Sequence, residues 1–314
     1  MAQADSNLVP ELDAPFVVSN GILYDGDALK AQMAGSGYLF FRALIPAESI
    51  LAARREILAR CAEAGWLAPE YDIETGIAAS GVSWIEPQPE FMAVYNRIQQ
   101  GEAFHTLAHE PALTAMFERL FGETPLAHPR NIARIIFPHN TLHTTPSHQD
   151  YVHVQGTEET YTAWMPLGEC PQSLGSLAVL AGSHRAGILP VHRAYGAGGV
   201  GIDTEQLPHQ WVGGDFGLGD VVVFHSLAVH KALPNLSPNQ IRLSVDYRYQ
   251  PLSHPVSCDS LLPHYAQVSW TEVYTGWRSE RCQYYWNNLP IRRAERDPRV
   301  HAVRAAADPA PSNH

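Results

Sequence analysis

The triplet His148-Gln149-Asp150 sets an imidazole and a carboxylate two residues apart. On an extended strand, residues i and i+2 point to the same face, so the two side chains would converge on one point. Alone the triplet is weak, because it serves equally well as a hydrogen-bonded turn. A second segment strengthens it. Gly219-Asp220 is a turn before the apolar run 221–224, and the chain continues through His225 to His230-Lys231-Ala232-Leu233-Pro234-Asn235. Either histidine would complete two imidazoles and one carboxylate, the set that leaves open positions on Fe(II) in non-haem oxygenases. The residues themselves leave His225 and His230 open, since His225 also suits a hydrogen-bonded core position. Arg242 follows within Ile241-Arg242-Leu243-Ser244, where a return strand would bring it beside the metal set. A buried guanidinium needs an anion, and its planar fork suits a carboxylate. The far carboxylate of 2-oxoglutarate meets that need. Ser244, on the same strand face, is placed to add a hydrogen bond.

The elements that must position these residues are marked by periodicity and punctuation. Residues 1–20, broken by Pro10 and Pro15, read as a loose arm. A short helix is expected over 27–33, a buried strand over 38–41, and a strong helix over 47–64. Pro46 opens that last helix, Ile50, Leu51, Ile57, Leu58 and Cys61 share one face, and Gly65 stops it. Residues 66–90 read as loop, and 90–120 as helix with a break at Glu110-Pro111. After about residue 125 the texture changes to short strand-like runs: 132–137, 151–155, 161–166, 176–180, 209–212, 220–224 and 241–249. Strands of that length and spacing predict a sandwich or jelly-roll barrel, here buttressed by N-terminal helices in an α+β chain.

No linker is visible, so residues 1–314 are expected to form a single catalytic domain. Its parts would be the arm 1–20, mainly helical support 21–125, a barrel core 126–255, an aromatic-rich C-terminal extension 256–304 and a frayed tail 305–314. The glycine-rich stretch 194–201 is a candidate lid. Trp270, Tyr274, Trp277, Tyr284, Tyr285 and Trp286 are expected to pack the extension against the barrel.

Composition narrows the function classes. Hydrophobic residues make up 45% and charged residues 17%, enough for a sizeable core. Thirty-two acids against 21 bases give a formal net charge of −11, a surface that repels phosphate backbones, so nucleic acid is not an expected partner. Cys61, Cys170, Cys258 and Cys282 lack any CxxC-type spacing and are too few for a disulfide scaffold. Free thiols, no secretory n- and h-region, and apolar runs too short to span a bilayer predict a cytoplasmic protein with no membrane partner. All 16 histidines lie from His105 onward.

With these residues assembled, the chain resembles the phytanoyl-CoA dioxygenase-like family of Fe(II)/2-oxoglutarate-dependent oxygenases. The resemblance rests on Ser147-His148-Gln149-Asp150, on residues 173–184 and 219–235, and on Arg242-Leu243-Ser244-Val245-Asp246-Tyr247-Arg248-Tyr249. It covers about residues 25–255. It implies a double-stranded β-helix, a jelly-roll or cupin-like barrel, with His148, Asp150 and His230 as iron ligands. His230 is favoured because the family's distal histidine stands just before a turn ending in Pro-Asn, as Pro234-Asn235 does. The resemblance also implies Arg242 as the 2-oxoglutarate clamp and Trp164 as a wall of the cosubstrate pocket. The chain departs from the pattern at Leu174-Gly175, where Asn-Gly is common. It departs again at Lys231-Ala232, where a small residue and serine often follow the histidine, so Ser244 would take over that hydrogen bond. Asp150 itself disfavours halogenation, for which relatives replace this carboxylate by a small residue.

The implied activity is hydroxylation, or another oxidation, of an unactivated C–H bond of a small organic molecule, with O2 consumed and succinate and CO2 released. The alternative is a cupin-like metalloprotein, an isomerase or dioxygenase, without 2-oxoglutarate chemistry. Arg134, Arg130 and Arg248 are candidates to meet an anionic substrate, though each also suits an ordinary salt bridge. Trp84 is a candidate lid aromatic. His139, His143, His153 and His184 flank the site in sequence and receive no role. Substrate identity and oligomeric state stay open at this level.

Overall fold

The structure, a computed structural model, describes residues 11–141 and 143–307. Two mainly antiparallel sheets pack face to face. The larger runs in the order Tyr38–Phe41, Val221–His225, Tyr161–Pro166, Arg242–Pro251, Pro125–Ala127, with Ile132–Ile136 also paired to Arg242–Pro251. The smaller runs Ala14–Pro15, Trp211–Gly213, Leu177–Leu180, His230–Ala232. Phe40, Trp164, Val222 and Phe224 from the first sheet meet Leu177, Val179 and Val212 from the second in one buried cluster.

The other face of the larger sheet carries the helices. Ala47–Glu63, Pro89–Ile98, Glu102–Thr106 and Pro111–Phe121 bury Ile57, Leu58, Phe91, Phe104 and Phe117 against Leu243, Val245, Tyr247 and Tyr249. Each such buried side chain contributes about 1.5–3 kcal/mol. The Tyr247 hydroxyl donates to the Phe104 carbonyl at 2.5 Å and Tyr249 to Ala108 at 2.7 Å, so polar ends inside this layer are satisfied. Helix ends follow local chemistry. Asp25 caps Gly26–Ser36 by accepting from the Ala28 N–H, and Gly37 and Gly122 terminate their helices in left-handed conformations.

Several expectations are revised. Residues 151–155 form a helical turn, Tyr151–Val154, not a strand. Their apolar, β-branched character reflects burial of Tyr151 and Val152 beneath the helix Pro298–Ala307, and packing overrides strand propensity. The arm is held from residue 13 onward: Ala14–Pro15 pairs in parallel with Val212 and Gly213, and Phe16 stacks on Phe40. Residues 1–10 of the expected arm and 308–314 of the expected tail lie outside the described residues. The helical stretch breaks at Gly101 as well as at Glu110. Stretch 194–201 connects and includes part of a small hairpin, His192–Arg193 with Val200–Gly201. The C-terminal aromatics cluster on one another and touch both layers: the Trp277 indole donates to the Gln100 carbonyl, Trp270 and Trp277 meet the His105 ring, and Tyr285 donates to the Ala127 carbonyl of strand Pro125–Ala127. Among the described residues no helix is long and apolar enough to cross a membrane.

Candidate active site

His148 and His230 face each other across an isolated antiparallel bridge. Each backbone N–H donates to the other's carbonyl at 3.0 Å. Their Nδ1–H groups donate to carbonyls two residues upstream, Pro146 at 2.8 Å and Ala228 at 3.0 Å. That choice of tautomer leaves both Nε2 lone pairs free. The two Nε2 atoms stand 3.7 and 3.9 Å from Asp150 Oδ1. The three donor groups are buried, lie within 4.8 Å of one another and could hold a metal ion. Burial, then the neighbouring His148, lowers the His230 pKa to about 3, so this ring is neutral as a metal ligand must be.

The convergence of His148 and Asp150 does not come from strand parity. The chain turns after His148, and the buried Gln149 amide donates to the Leu227 and Gly187 carbonyls. Asp150 then opens the Tyr151–Val154 turn. Its carboxylate accepts from Thr162 Oγ1 and from Arg248, whose Nε and Nη2 lie 3.3 and 3.1 Å away. Burial would raise this carboxyl's pKa, but the Arg248 charge opposes it, and the pKa is held well below the usual range. His225 is not in this group. It lies beside His184 with its Nε2 near Glu159, and its Nδ1 accepts from the Leu227 N–H.

Strand Arg242–Pro251 supplies much of the remaining chemistry from one face. Arg242, Ser244, Asp246 and Arg248 alternate with the four core residues that face the helices. Arg242 lines a narrow inner pocket together with His148, Asp150, His230 and Trp164. It is buried, and among the described residues no carboxylate pairs with it. Its Nη1 donates to Ser244 Oγ, its Nε lacks a partner, and its guanidinium stands 5.9 Å from the Trp164 ring centre. Burial brings its pKa down to about 10. Ser244 therefore engages the arginine rather than lining the pocket.

A wider cavity of about 320 Å3 opens on the other side of His148 and Asp150. The substrate candidates fare differently there. Arg134 lines it, but its fork is taken by Asp246 at 3.0 Å and Glu86 at 3.4 Å. Arg248 is taken by Asp150. Trp84 packs against the helical core and lines neither pocket, whereas Glu86 from the same loop does line the cavity. Glu86 also accepts from the Tyr265 hydroxyl at 2.5 Å. Ala197 and Gly198 of the glycine-rich stretch and His153 line the cavity too, with His153 Nδ1 2.8 Å from Arg304 Nη2.

Thr162 and Asp246 were missed by reading residues one at a time. Strand parity would have found both, since Thr162 shares a face with Trp164 and Asp246 with Arg242. Glu86 and Tyr265 carried no local signal, because they reach the site from loops far apart in the chain.

A profile of the phytanoyl-CoA dioxygenase family (PhyH) matches residues 34–244. The chain belongs to this family, and it is a non-haem iron- and 2-oxoglutarate-dependent oxygenase. It is 26% identical over 262 residues to the 1-deoxypentalenic acid 11-beta-hydroxylase of Streptomyces exfoliatus, covering 79% of this chain and 89% of that protein. The hydroxylase of the same name from Streptomyces arenae is 26% identical over 256 residues, covering 77% and 87%. The fold is similar to that of EctD from S. alaskensis with bound Fe, at TM-score 0.51, 18% identity, and 79% and 83% coverage of the two chains. It is also similar to that of the non-heme monooxygenase ThoJ in its Ni complex, at TM-score 0.51, 16% identity, and 89% and 95% coverage.

Proposed function

We propose that this enzyme hydroxylates, or otherwise oxidises, an unactivated C–H bond of a small organic molecule. For hydroxylation the balance is one C–H substrate, one O2 and one 2-oxoglutarate giving the alcohol, succinate and CO2. The observation that carries this reading is the inner pocket: two free imidazole Nε2 atoms and a carboxylate on one side, and a buried arginine without an acid on the other. We read the two facing sheets as the halves of a double-stranded β-helix.

His148, Asp150 and His230 would hold the iron through Nε2 and carboxylate oxygen. Iron held there would supply the oxidising chemistry, with 2-oxoglutarate and O2 as co-reactants. Arg242 would take the distal carboxylate of 2-oxoglutarate, Ser244 would aim its guanidinium, and Trp164 would wall the pocket against water. Arg248 keeps Asp150 ionised and oriented. The organic substrate would occupy the larger cavity, whose volume suits a small molecule. The named hydroxylases, which share about a quarter of their residues with this chain, support such a substrate class.

The test is anaerobic addition of Fe(II) and 2-oxoglutarate, followed by visible spectroscopy and then by succinate release on admitting O2. A metal-to-2-oxoglutarate charge-transfer band that disappears in His148→Ala is expected. Absence of the band in the unsubstituted protein would sink the proposal.

A further inference from the structure

Five arginines line the larger cavity: Arg130, Arg134, Arg248, Arg296 and Arg304. Four already have partners. Arg134 is held by Asp246 and Glu86, Arg248 by Asp150, and Arg296 pairs with Asp259 at 3.8 Å. Arg304, exposed at the rim, contacts His153. Arg130 differs. It is partly buried between the strands Pro125–Ala127 and Ile132–Ile136, its Nε is buried without a hydrogen-bond partner, and among the described residues no carboxylate lies within ion-pair distance. Its backbone is anchored through an N–H donated to the Ser260 carbonyl at 3.3 Å. Asp259 lies outside ion-pair distance, where its charge attracts Arg130 while it also meets the exposed Arg296 at 3.8 Å, and the nearby Arg248 repels Arg130.

A guanidinium whose Nε is buried without a partner in a concave wall carries a desolvation cost that a ligand anion would offset. Loading the inner pocket does not relieve this cost. There the 2-oxoglutarate carboxylate is matched by Arg242, and Asp150 is matched by Arg248 and the metal. Building on the proposed function, we infer that Arg130 is the anchor for a carboxylate on the organic substrate, so that the enzyme acts on organic monocarboxylic acids. A single planar fork suits one carboxylate held by two parallel bonds. A phosphate ester, carrying more charge, would call for further free cations beside Arg130, where Arg134, Arg248 and Arg296 are paired with acids and Arg304 lies exposed at the rim. Such an anchor also fixes which C–H bond faces the metal, because the tether from carboxylate to reacting carbon has a set length.

The experiment is anaerobic titration calorimetry on the Fe(II)-loaded protein. 2-Oxoglutarate is titrated first, then decanoate, cyclohexanecarboxylate and abietate, each beside its methyl ester, and decyl phosphate. At least one acid is expected to bind about tenfold or more tightly than its ester. Arg130→Gln should remove that preference and leave the ester's affinity unchanged, and Arg130→Lys should keep part of it. Acids and esters behaving alike, a preference that survives Arg130→Gln, or tighter binding of the phosphate overturns the inference. Should Arg130→Gln fail to fold, full retention of the preference in Arg130→Lys overturns the forked carboxylate contact. Failure of the first titration, with 2-oxoglutarate not binding at all, instead strikes the proposed function.

Discussion

Arg248 donates through two nitrogens to the two oxygens of Asp150, and both side chains are buried. Arg248, a sequence candidate for meeting substrate, is thus turned onto the carboxylate of the candidate metal site. Replacing it by glutamine leaves Asp150 with Thr162 Oγ1 as its remaining side-chain donor. Loss of a partner that orients a ligand typically costs about 10–100-fold in metal affinity. We expect that loss in Arg248→Gln, read by Fe(II) or Co(II) titration, with partial recovery in Arg248→Lys. Unchanged affinity would show that the ion pair plays no part in holding the ligand.

Arg242 and Ser244 separate two kinds of contribution. Arg242→Gln removes the inner-pocket cation that has no carboxylate partner among the described residues, and 2-oxoglutarate binding should fall by about 100-fold. Ser244→Ala removes only the acceptor for Nη1 and should cost less than about tenfold. Calorimetry with 2-oxoglutarate distinguishes the two, and equal effects would contradict the assignment of the serine to aiming the arginine.

Gly175 sits at φ +93°, and a Cβ there would come within 2.7 Å of the Leu233 carbonyl oxygen. The adjoining strand Leu177–Leu180 pairs with His230–Ala232. Gly175→Ala should therefore lower stability by about 1–3 kcal/mol and also weaken metal binding, because the strand carrying His230 must shift. Urea denaturation and metal titration of the same variant test both halves, and an unchanged urea midpoint would refute the first.

Stability should fall in mild acid. Burial pushes His105 and His128 down to about 4 from an ordinary value near 6.5. The neutral His105 ring is fully used, with one nitrogen on the Gln99 carbonyl and the other accepting from the Asn131 amide. Between pH 6.5 and 4 the unfolded chain binds protons that the folded chain refuses, so stability rises with pH in that window and is lost as pH falls through it. Each of these two imidazoles should cost on the order of 3 kcal/mol by pH 4. Urea midpoints of the metal-free protein at pH 7.5, 6 and 5 should decline steadily, and His105→Gln should make the decline shallower.

Much of this was legible in the chain before its coordinates. Strand 38–41, helix 47–64, the break at Glu110 and the β region after residue 125 follow from Pro and Gly punctuation and from apolar period. His148 and Asp150 were legible as a closely spaced imidazole and carboxylate, and Arg242 as a costly residue type in an otherwise apolar strand. His225 and His230 could not be told apart by local pattern. Strand Val221–His225 aims His225 at Glu159, whereas the next short strand brings His230 opposite His148. The helical turn at Tyr151 was hidden because buried helical turns and buried strands share the same apolar composition. The fate of Arg134 and Arg248 was hidden for another reason. Whether an arginine is free depends on acids that arrive from distant segments, Glu86 and Asp150 among them.

The reciprocal backbone bonds between His148 and His230 carry one more consequence. The bridge itself sets the separation of the two imidazoles. A slip of one residue along either segment would turn one ring away and dismantle the donor set. Metal uptake is therefore a readout of pairing fidelity, and an ion captured there clips together two stretches of chain made far apart in time.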